Sequence, residues 1–380
     1  MTVIQISPAY KPAYIYGGPT LSVALLCEAL DSCGIALQVF TTTANGLQEL
    51  EVPKGPVKVD GVSVFYFRRT LGGQIHLSVE LLIKLLLATE KTDIFHVHSW
   101  WNATAILGAL IGKLRGNKVI ISPRGMLTSY SFNNRHFNLK KVFHRILGSW
   151  ILSSCSFHVT SEKEKCNVLS LIKCAEITII PNLVALIKPT KHSFRHFVAN
   201  KPSFRLLFFS RIEQKKGIEL MFDALQELKL TWTLTIAGAG KLEYIKSLKA
   251  LSYKLNIQEN INWVGFVQSE NKQKIMEKHD LLVLFSYNEN FANVVTESLS
   301  TGLPVAISEE VGLSDFIIEH NLGWVCKLDK LSIVNHLNNA AFDVKKRQRI
   351  HLTAPILVSK HFSTEVILKQ YLELYELHEY

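Results

Sequence analysis

Short runs rich in β-branched and aromatic residues alternate with amphipathic segments along this chain, and the whole alternation occurs twice. In the first half the strand-like runs are VIQIS, ALQVF, VSVFYF, DIFHVH, KVIIS, FHVTS and ITIIP, with helix-like segments from about Pro19, near 77–88 and near 138–153. Strand, helix and strand in succession fold as parallel strands joined by crossovers that cover both sheet faces, because a tight turn cannot join parallel neighbours. The polar, basic stretch KPTKHSFRHFVANKPSFR (188–205) interrupts the pattern, which restarts with RLLFFS, WTLTIAG, NINWVGF, DLLVLFS, LPVAI and LGWVCK. The expected fold class is therefore α/β, with two consecutive doubly wound, Rossmann-like domains. Their bounds are 1–187 and 204–360, separated by a linker at 188–203. The end of the chain, 361–380, reads as a packed helix in which Val366, Ile367, Leu368, Tyr371, Leu374 and Tyr375 recur at helical spacing. A length of 380 residues suits this division, since it exceeds one ordinary core. Two such domains imply a cleft.

With 48% apolar and 19% charged residues the chain can bury enough surface to fold. A net charge of +10 is compatible with nucleic acid, a membrane surface or anionic small molecules, and does not choose among them. VELLIKLLLAT (79–89) and TAILGALIGKL (104–114) are too short and too interrupted by lysine to span a membrane, so both read as buried helices. MTVIQISPAY lacks the basic-then-apolar order of a signal peptide, which places the protein in the cytoplasm. Cys27, Cys33, Cys155, Cys166, Cys174 and Cys326 are scattered without a C-x-x-C pair and read as free core thiols.

Ligands of open parallel sheets bind beyond the carboxyl ends of the strands, so the loops after strands are where chemistry is expected. In PAYKPAYIYGGPT (8–20), Gly17 and Gly18 precede a helix start, either as a simple turn or as a place where backbone N–H groups approach a phosphate. FFSRIEQKKGIELM (208–221) empties a buried strand into Arg211, Lys215 and Lys216 just before a helix opens at Gly217, which suits an anion. TIAGAGKLE (235–243) imitates two nucleotide motifs and satisfies neither, leaving a glycine-rich turn around Gly238 near a ligand. In ENFANVVTESL (289–299), Glu289 falls in the loop after a strand at 280–286, Phe291 to Ser300 form a helix, and Glu297 lies on the face of Asn293. In DIFHVHSWW (93–101), His96 and His98 share a strand face without a third metal ligand, so a single cleft-facing His98 is expected. Arg124 in SPRGML (122–127) stands at a strand end, as a buried structural arginine or a ligand-facing cation.

Taken together these loops resemble the retaining glycosyltransferases of family 4, whose GT-B fold sets two Rossmann-like domains face to face. The resemblance runs in order through GGPT, DIFHVH, VTSEKEK, IIPN, SRIEQKKG, LTIAGAG, VGFV, ENFANVVTE, TGLPV and the terminal FSTEVILKQYLELY. Its most specific parts are the spacing of Arg211 to Lys216 and the E-x7-E of Glu289 and Glu297. It implies that Arg211 and Lys216 grip the diphosphate of a nucleotide-sugar donor, that Glu297 bonds the ribose and that Glu289 contacts hydroxyls of the transferred sugar. Gly17, Gly18, Gly238, Asn290, Phe291, Ala292, Asn293 and Val294 would complete the donor site, with His98 and Arg124 on the acceptor side. Many relatives carry His where Arg124 stands. The pattern usually has Gly and Pro at the positions of Asn290 and Ala292, and Asn tolerates the left-handed turn that a glycine would make.

No Asp-x-Asp occurs in the chain, so transfer without a metal or other cofactor is expected. Retention would then use front-face attack, the leaving phosphate taking the acceptor proton and Glu289 positioning the sugar. SPRGML resembles the branch that builds exopolysaccharide, lipopolysaccharide and lipid-linked glycans. FNNRHFNLKKVFHRILGSWIL (132–152), with Arg135, Lys140, Lys141 and Arg145 among apolar residues, suits either an anionic membrane surface or a packed helix with a solvated basic edge. Rival readings are a sugar-nucleotide epimerase of the same fold, which needs no acceptor, and a non-catalytic sugar- or anion-binding protein; nucleic acid is not an expected partner.

Overall fold

The computed structural model describes residues 1–71, 73, 75–128, 131, 142–173, 176–187 and 203–377. The chain forms two compact units, Met1–Leu183 together with Thr364–Tyr380, and Val184–Ser363. The first division thus falls at 183/184, where the sequence suggested 187/188, and the terminal segment belongs to unit 1 from Thr364 onward. Except for Ser203, the expected linker 188–203 lies outside the described residues, as do Arg135, Lys140 and Lys141 of the basic segment and Cys174.

Unit 1 is built on β1 (Val3–Ser7), β2 (Leu37–Thr42), β5 (Pro56–Val59), β6 (Val62–Phe67), β7 (Ile94–His98), β8 (Lys118–Ser122), β9 (Ser156–Val159) and β10 (Ile177–Ile179), with a small hairpin of β3 (Ala44–Asn45) and β4 (Gln48–Glu49). The large sheet has the order β10-β9-β8-β7-β1-β2-β6-β5. Neighbours are parallel except the edge strand β5, which pairs antiparallel with β6. That hairpin was missed, although its signal is present: Asp60 and Gly61 both have positive φ, 48° and 91°, as a two-residue hairpin turn demands. β1 and β7 are buried at every position, the expected state of central strands covered on both faces.

The helices Gly18–Ser32 and Ala103–Arg115 begin close to the expected places, and a further helix, Glu162–Leu171, lies between β9 and β10 where none was expected. The helix Val79–Ala88 is not the buried helix expected: only Leu81 and Leu85 are buried, and Leu87 is 76% exposed. Its apolar residues extend all round the helix, and a helix lying on a sheet covers one face only. Cys33 and Cys166 are exposed rather than in the core, while burial pushes the thiols of Cys27, Cys155 and Cys326 up to about 12. The C-terminal helix Thr364–Leu374 packs Ile367, Leu368 and Tyr371, followed by Tyr375, against Val23, Leu26 and Ile94; Val366 points outward. Among the described residues no helix is long and apolar enough to cross a membrane.

Three buried histidines lie beneath that helix. His96 Nδ1 meets the Tyr375 hydroxyl at 2.6 Å, and His96 Nε2 meets Ser122 Oγ at 2.6 Å. Ser122 Oγ also meets His158 Nδ1 at 2.6 Å, and His158 Nε2 meets the Ile180 carbonyl at 2.8 Å. His98 Nε2 meets Gln5 Oε1 at 2.6 Å, the Gln5 amide donates to Tyr375 at 3.1 Å, and Arg124 Nε donates to His98 Nδ1 at 3.2 Å. The fixed donors and acceptors at the ends set one direction throughout. Protons point from Arg124 to His98, Gln5, Tyr375, His96, Ser122, His158 and finally the Ile180 carbonyl, which requires each imidazole to be neutral with its proton on Nε2.

Burial, reinforced by the neighbouring cations and imidazoles, pushes His96 and His98 well below their ordinary value and His158 down to about 3. In the unfolded chain each binds a proton near pH 6.5. Their contribution to stability is present above that pH and is lost as the pH falls from there toward the folded-state values, by roughly 1.4 kcal/mol per histidine per pH unit. Urea unfolding should therefore show a clearly lower midpoint at pH 5.5 than at pH 7.5; equal midpoints would contradict the neutral chain.

Candidate functional site

Unit 2 contains β11 (Phe204–Phe209), β12 (Trp232–Ala237), β13 (Ile261–Gly265), β14 (Leu281–Leu284), β15 (Val305–Ser308) and β16 (Gly323–Cys326), all parallel in the order β13-β12-β11-β14-β15-β16. The order reverses between β11 and β14. Successive crossovers leave to opposite faces there, so the loops after these two strands flank an uncovered crevice at their carboxyl ends.

The loop after β11 is held by its backbone. Ser210 N–H donates to the Ala237 carbonyl at 3.1 Å and Ile212 N–H to the Ala239 carbonyl at 2.8 Å, so the loop runs beside the glycine-rich turn that follows β12. A Cβ on Gly238 would lie 1.8 Å from the Ser210 carbonyl oxygen, and one on Gly240 would lie 2.3 Å from that of Ile212. The glycines of TIAGAGKLE thus have a packing reason of their own: they let the two loops touch. Gly217 has φ 64° and closes the short turn Gln214–Lys216 before the helix Ile218–Gln226; a Cβ there would lie 2.2 Å from the Phe285 carbonyl. Tyr287 N–H donates to the Lys215 carbonyl at 2.8 Å, joining the loop after β11 to the loop after β14.

Across that join Lys216, 5% exposed, donates directly to the Glu289 carboxylate. Glu289 is fixed from its other side, its N–H donating to the Glu310 carbonyl at 3.2 Å and its carbonyl accepting from Gly312 N–H at 2.8 Å. Burial alone would raise the Glu289 carboxyl, but the charges of Lys216, Lys215 and Arg211 outweigh it and hold the group below its usual range. It is a carboxylate at neutral pH. Burial lowers Lys215. Arg211 Nη1 is 2.7 Å from Glu213, and that pair is about two-fifths exposed.

Glu297 is buried on the helix Asn293–Ser300 and accepts from Lys272 Nζ at 2.7 Å. Lys272 was not singled out in the sequence; a lysine opening a short helix, Lys272–Glu277, carries no local signal that its partner lies elsewhere in the chain. The two glutamates are therefore held by different lysines. The helix starts at Asn293 and not at Phe291, so Phe291 and Ala292 precede it. Phe291 is buried against Phe362, with ring centroids 5.9 Å apart; Val295 is core, whereas Val294 is half-buried.

Unit 1 has its own reversal of strand order, between β1 and β7. Gly17, φ 67°, ends the loop after β1 and starts the helix Gly18–Ser32, which has no side-chain cap; a Cβ on Gly18 would meet nothing within 4 Å. His98 ends β7 but is 1% exposed, so the expected open histidine is instead an internal member of the hydrogen-bond chain. Its strand is covered on both faces, leaving a side chain there no route to solvent. Arg124 follows β8 with φ 51°, and its Nη1 donates to Ser22 Oγ at 2.8 Å and Asn182 Oδ1 at 3.1 Å. The site residues thus form two sets, Gly17, Gly18, His98 and Arg124 in unit 1 and the remainder in unit 2. Among the described residues no group of three or more His, Cys, Asp or Glu could hold a metal ion.

Two sequence profiles together match nearly the whole chain, "Glycosyltransferase Family 4" over residues 16–187 and "Glycosyl transferases group 1" over residues 190–354. The chain belongs to glycosyltransferase family 4. It is similar to an uncharacterized glycosyltransferase of Methanocaldococcus jannaschii, 25% identical over 99% of this chain and 98% of that protein. An amylovoran biosynthesis glycosyltransferase of Erwinia amylovora is 26% identical over 79% of this chain and 74% of its own. The crystal structure of HepE of Anabaena in complex with UDP and glucose superposes with a TM-score of 0.76 over 99% of each chain at 19% identity, which shows the shared GT-B fold.

In this glycosyltransferase the left-handed residue of the ENFAN loop is Ala292, φ 69° and ψ 71°, and not Asn290. The turn into the helix comes immediately before Asn293, so the unusual backbone falls one residue before the helix. Proline, fixed near φ −65°, could not take this conformation. Alanine takes it at a cost of about 1–2 kcal/mol. Ala292→Gly should raise the urea midpoint by an amount equivalent to about 1 kcal/mol, and Ala292→Pro should lower it; a stabilised proline variant would contradict the geometry.

Proposed function

We propose that this glycosyltransferase transfers a sugar, with retention of anomeric configuration, from a UDP- or GDP-sugar to a growing, lipid-linked glycan in cell-surface polysaccharide synthesis. The observation that carries this reading is the buried Lys216–Glu289 pair at the β11/β14 reversal, where a cation and an ionised carboxylate lie side by side in the sheet's ligand crevice. Lys216 Nζ spends one of its three donors on Glu289 and has others for oxygens of the leaving diphosphate. Arg211 and the start of the Asn293–Ser300 helix, with Asn290, Phe291, Ala292 and Val294 around it, add positive potential as charge develops on the phosphate. Gly238 keeps the turn after β12 against the Arg211 loop, and Glu297, oriented by Lys272, bonds the ribose.

Because Glu289 is held ionised, it accepts hydrogen bonds from sugar hydroxyls and positions the sugar without donating a proton. The acceptor attacks on the face from which the diphosphate leaves, and a phosphate oxygen takes its proton. No metal is assigned a role, a reading supported by the absence of Asp-x-Asp. Likeness to an amylovoran biosynthesis enzyme supports a polysaccharide product, and the UDP and glucose bound by HepE support a UDP-sugar donor. The exposed basic and apolar residues Arg145, Ile146 and Trp150 support peripheral contact with an anionic membrane.

A thermal-shift screen of UDP, GDP and their sugars should give stabilisation by one nucleotide and its sugar. Lys216→Ala should reduce turnover at least about a hundredfold while the chain still folds, since Lys215 and Arg211 remain to hold Glu289 ionised. Near-normal turnover would remove the diphosphate assignment, and activity abolished by a chelator would remove metal independence.

A further inference from the structure

Arg124 is a permanently charged group in the polar centre of unit 1, and every hydrogen bond it makes goes to a neutral acceptor. Nε donates to His98 Nδ1 at 3.2 Å, and Nη1 donates to Ser22 Oγ at 2.8 Å and Asn182 Oδ1 at 3.1 Å. Nη2 bonds to no described residue. The acid nearest in charge, Glu164, is already occupied, accepting from Gly125 N–H at 2.7 Å, Thr160 N–H at 2.8 Å and Thr160 Oγ1 at 3.0 Å. No carboxylate of the described residues forms an ion pair with Arg124.

Arg124 is half-buried, so its guanidinium gives up part of its hydration without an anion to offset the loss, and a neutral donor could serve the same three acceptors without that cost. The conformation adds to it, since Arg124 is a non-glycine residue at φ 51°. The orientation is nonetheless well fixed. Nε is tied to the start of the histidine chain, and Nη1 is tied to a helix whose uncapped beginning supplies further positive potential. What is left over is Nη2, whose two N–H groups are charged donors for an oxygen of a carboxylate or phosphate.

We infer that Arg124 forms an anion subsite in unit 1 that recognises a carboxylate or phosphate monoester carried by one of the substrate sugars, making the enzyme selective for an acidic sugar. The inference rests on the glycosyltransferase reading for the word substrate, but not for the anion itself. The charge could be carried by the donor sugar or by the acceptor.

Titration calorimetry on the full chain separates these sources through three pairs of probes: UDP-glucuronate against UDP-glucose, methyl glucuronide against methyl glucoside, and glucose 6-phosphate against glucose. The wild-type chain should prefer the acidic member of at least one pair by about tenfold or more, the donor pair or the acceptor-like pairs identifying the source. Arg124→Gln should abolish that preference and Arg124→Lys, which keeps the charge but cannot bond His98, Ser22, Asn182 and the anion together, should retain only part of it. If Arg124→Gln does not fold, the lysine variant alone decides, because an undiminished preference there would contradict a subsite formed by Nη2. Lys216→Ala should weaken both UDP-sugars alike and leave their ratio unchanged, so failure of the diphosphate assignment is distinguishable from failure of the subsite. No preference in any pair, or a preference that survives Arg124→Gln, overturns the proposal.

Discussion

A parallel sheet leaves its ligand crevice where the strand order reverses, and the rest of this enzyme's chemistry depends on that constraint. In unit 2 the reversal separates β11 from β14, and in unit 1 it separates β1 from β7. The crossovers that follow these strands depart to opposite faces, so nothing of the sheet itself covers their carboxyl ends. The residues with unusual chemistry collect there: Lys216 and Glu289 beyond β11 and β14, the Gly17 helix start beyond β1, and His98 at the end of β7. Two sets of contacts keep the unit 2 loops in place. Glycines at 217, 238 and 240 allow backbone to touch backbone, and the hydrogen bond from Tyr287 to the Lys215 carbonyl joins the loops that bring lysine and glutamate together.

The polar groups at the two strand-order reversals are held in different ways. The unit 2 site sets charge against charge, pairing Lys216 with Glu289 and Lys272 with Glu297 inside and the more exposed Arg211 with Glu213. Such pairs contribute little net stability when buried, and removing one member leaves the other uncompensated. They do, however, fix the orientation of groups that a ligand must find ready. Unit 1 keeps its buried histidines neutral in one directed hydrogen-bond chain beneath the C-terminal helix, and Tyr375, which carries the chain from Gln5 to His96, comes from the last residues of the sequence. Arg124 stands at the donor end of that chain as a cation with no ion pair to a described carboxylate.

The alternation of strands and helices was legible because period-two and period-3.6 patterns are local, and so were the charged loops, because the strands that feed them are apolar. That pattern puts Arg211, Lys216 and Glu289 in loops after strands, where the structure has them, and Glu297 on the helix that follows. What stayed hidden is long-range. Lys272 meets Glu297 only through the fold, and the burial of His98 depends on a helix some 270 residues later in the chain, an interval of the kind seen between His96 and Tyr375 at 279 residues. The exposure of Leu87 depends on which face of its helix meets the sheet. The backbone at Ala292 was misplaced to Asn290 because residue type favours asparagine for a left-handed turn, while the geometry of the helix start selects the residue just before Asn293. The edge hairpin at Asp60 and Gly61 had a readable signal that the repeating parallel pattern obscured.

The central claim is that Lys216 meets the donor's diphosphate while Glu289 meets its sugar, although the two side chains bond each other. Binding of UDP and of the matching UDP-sugar to the wild-type chain, Lys216→Ala, Glu289→Gln and the double variant tests it most directly. Lys216→Ala should weaken both ligands, and Glu289→Gln should weaken the UDP-sugar while leaving UDP largely unaffected. Equal losses for both ligands in both variants would contradict the division of roles.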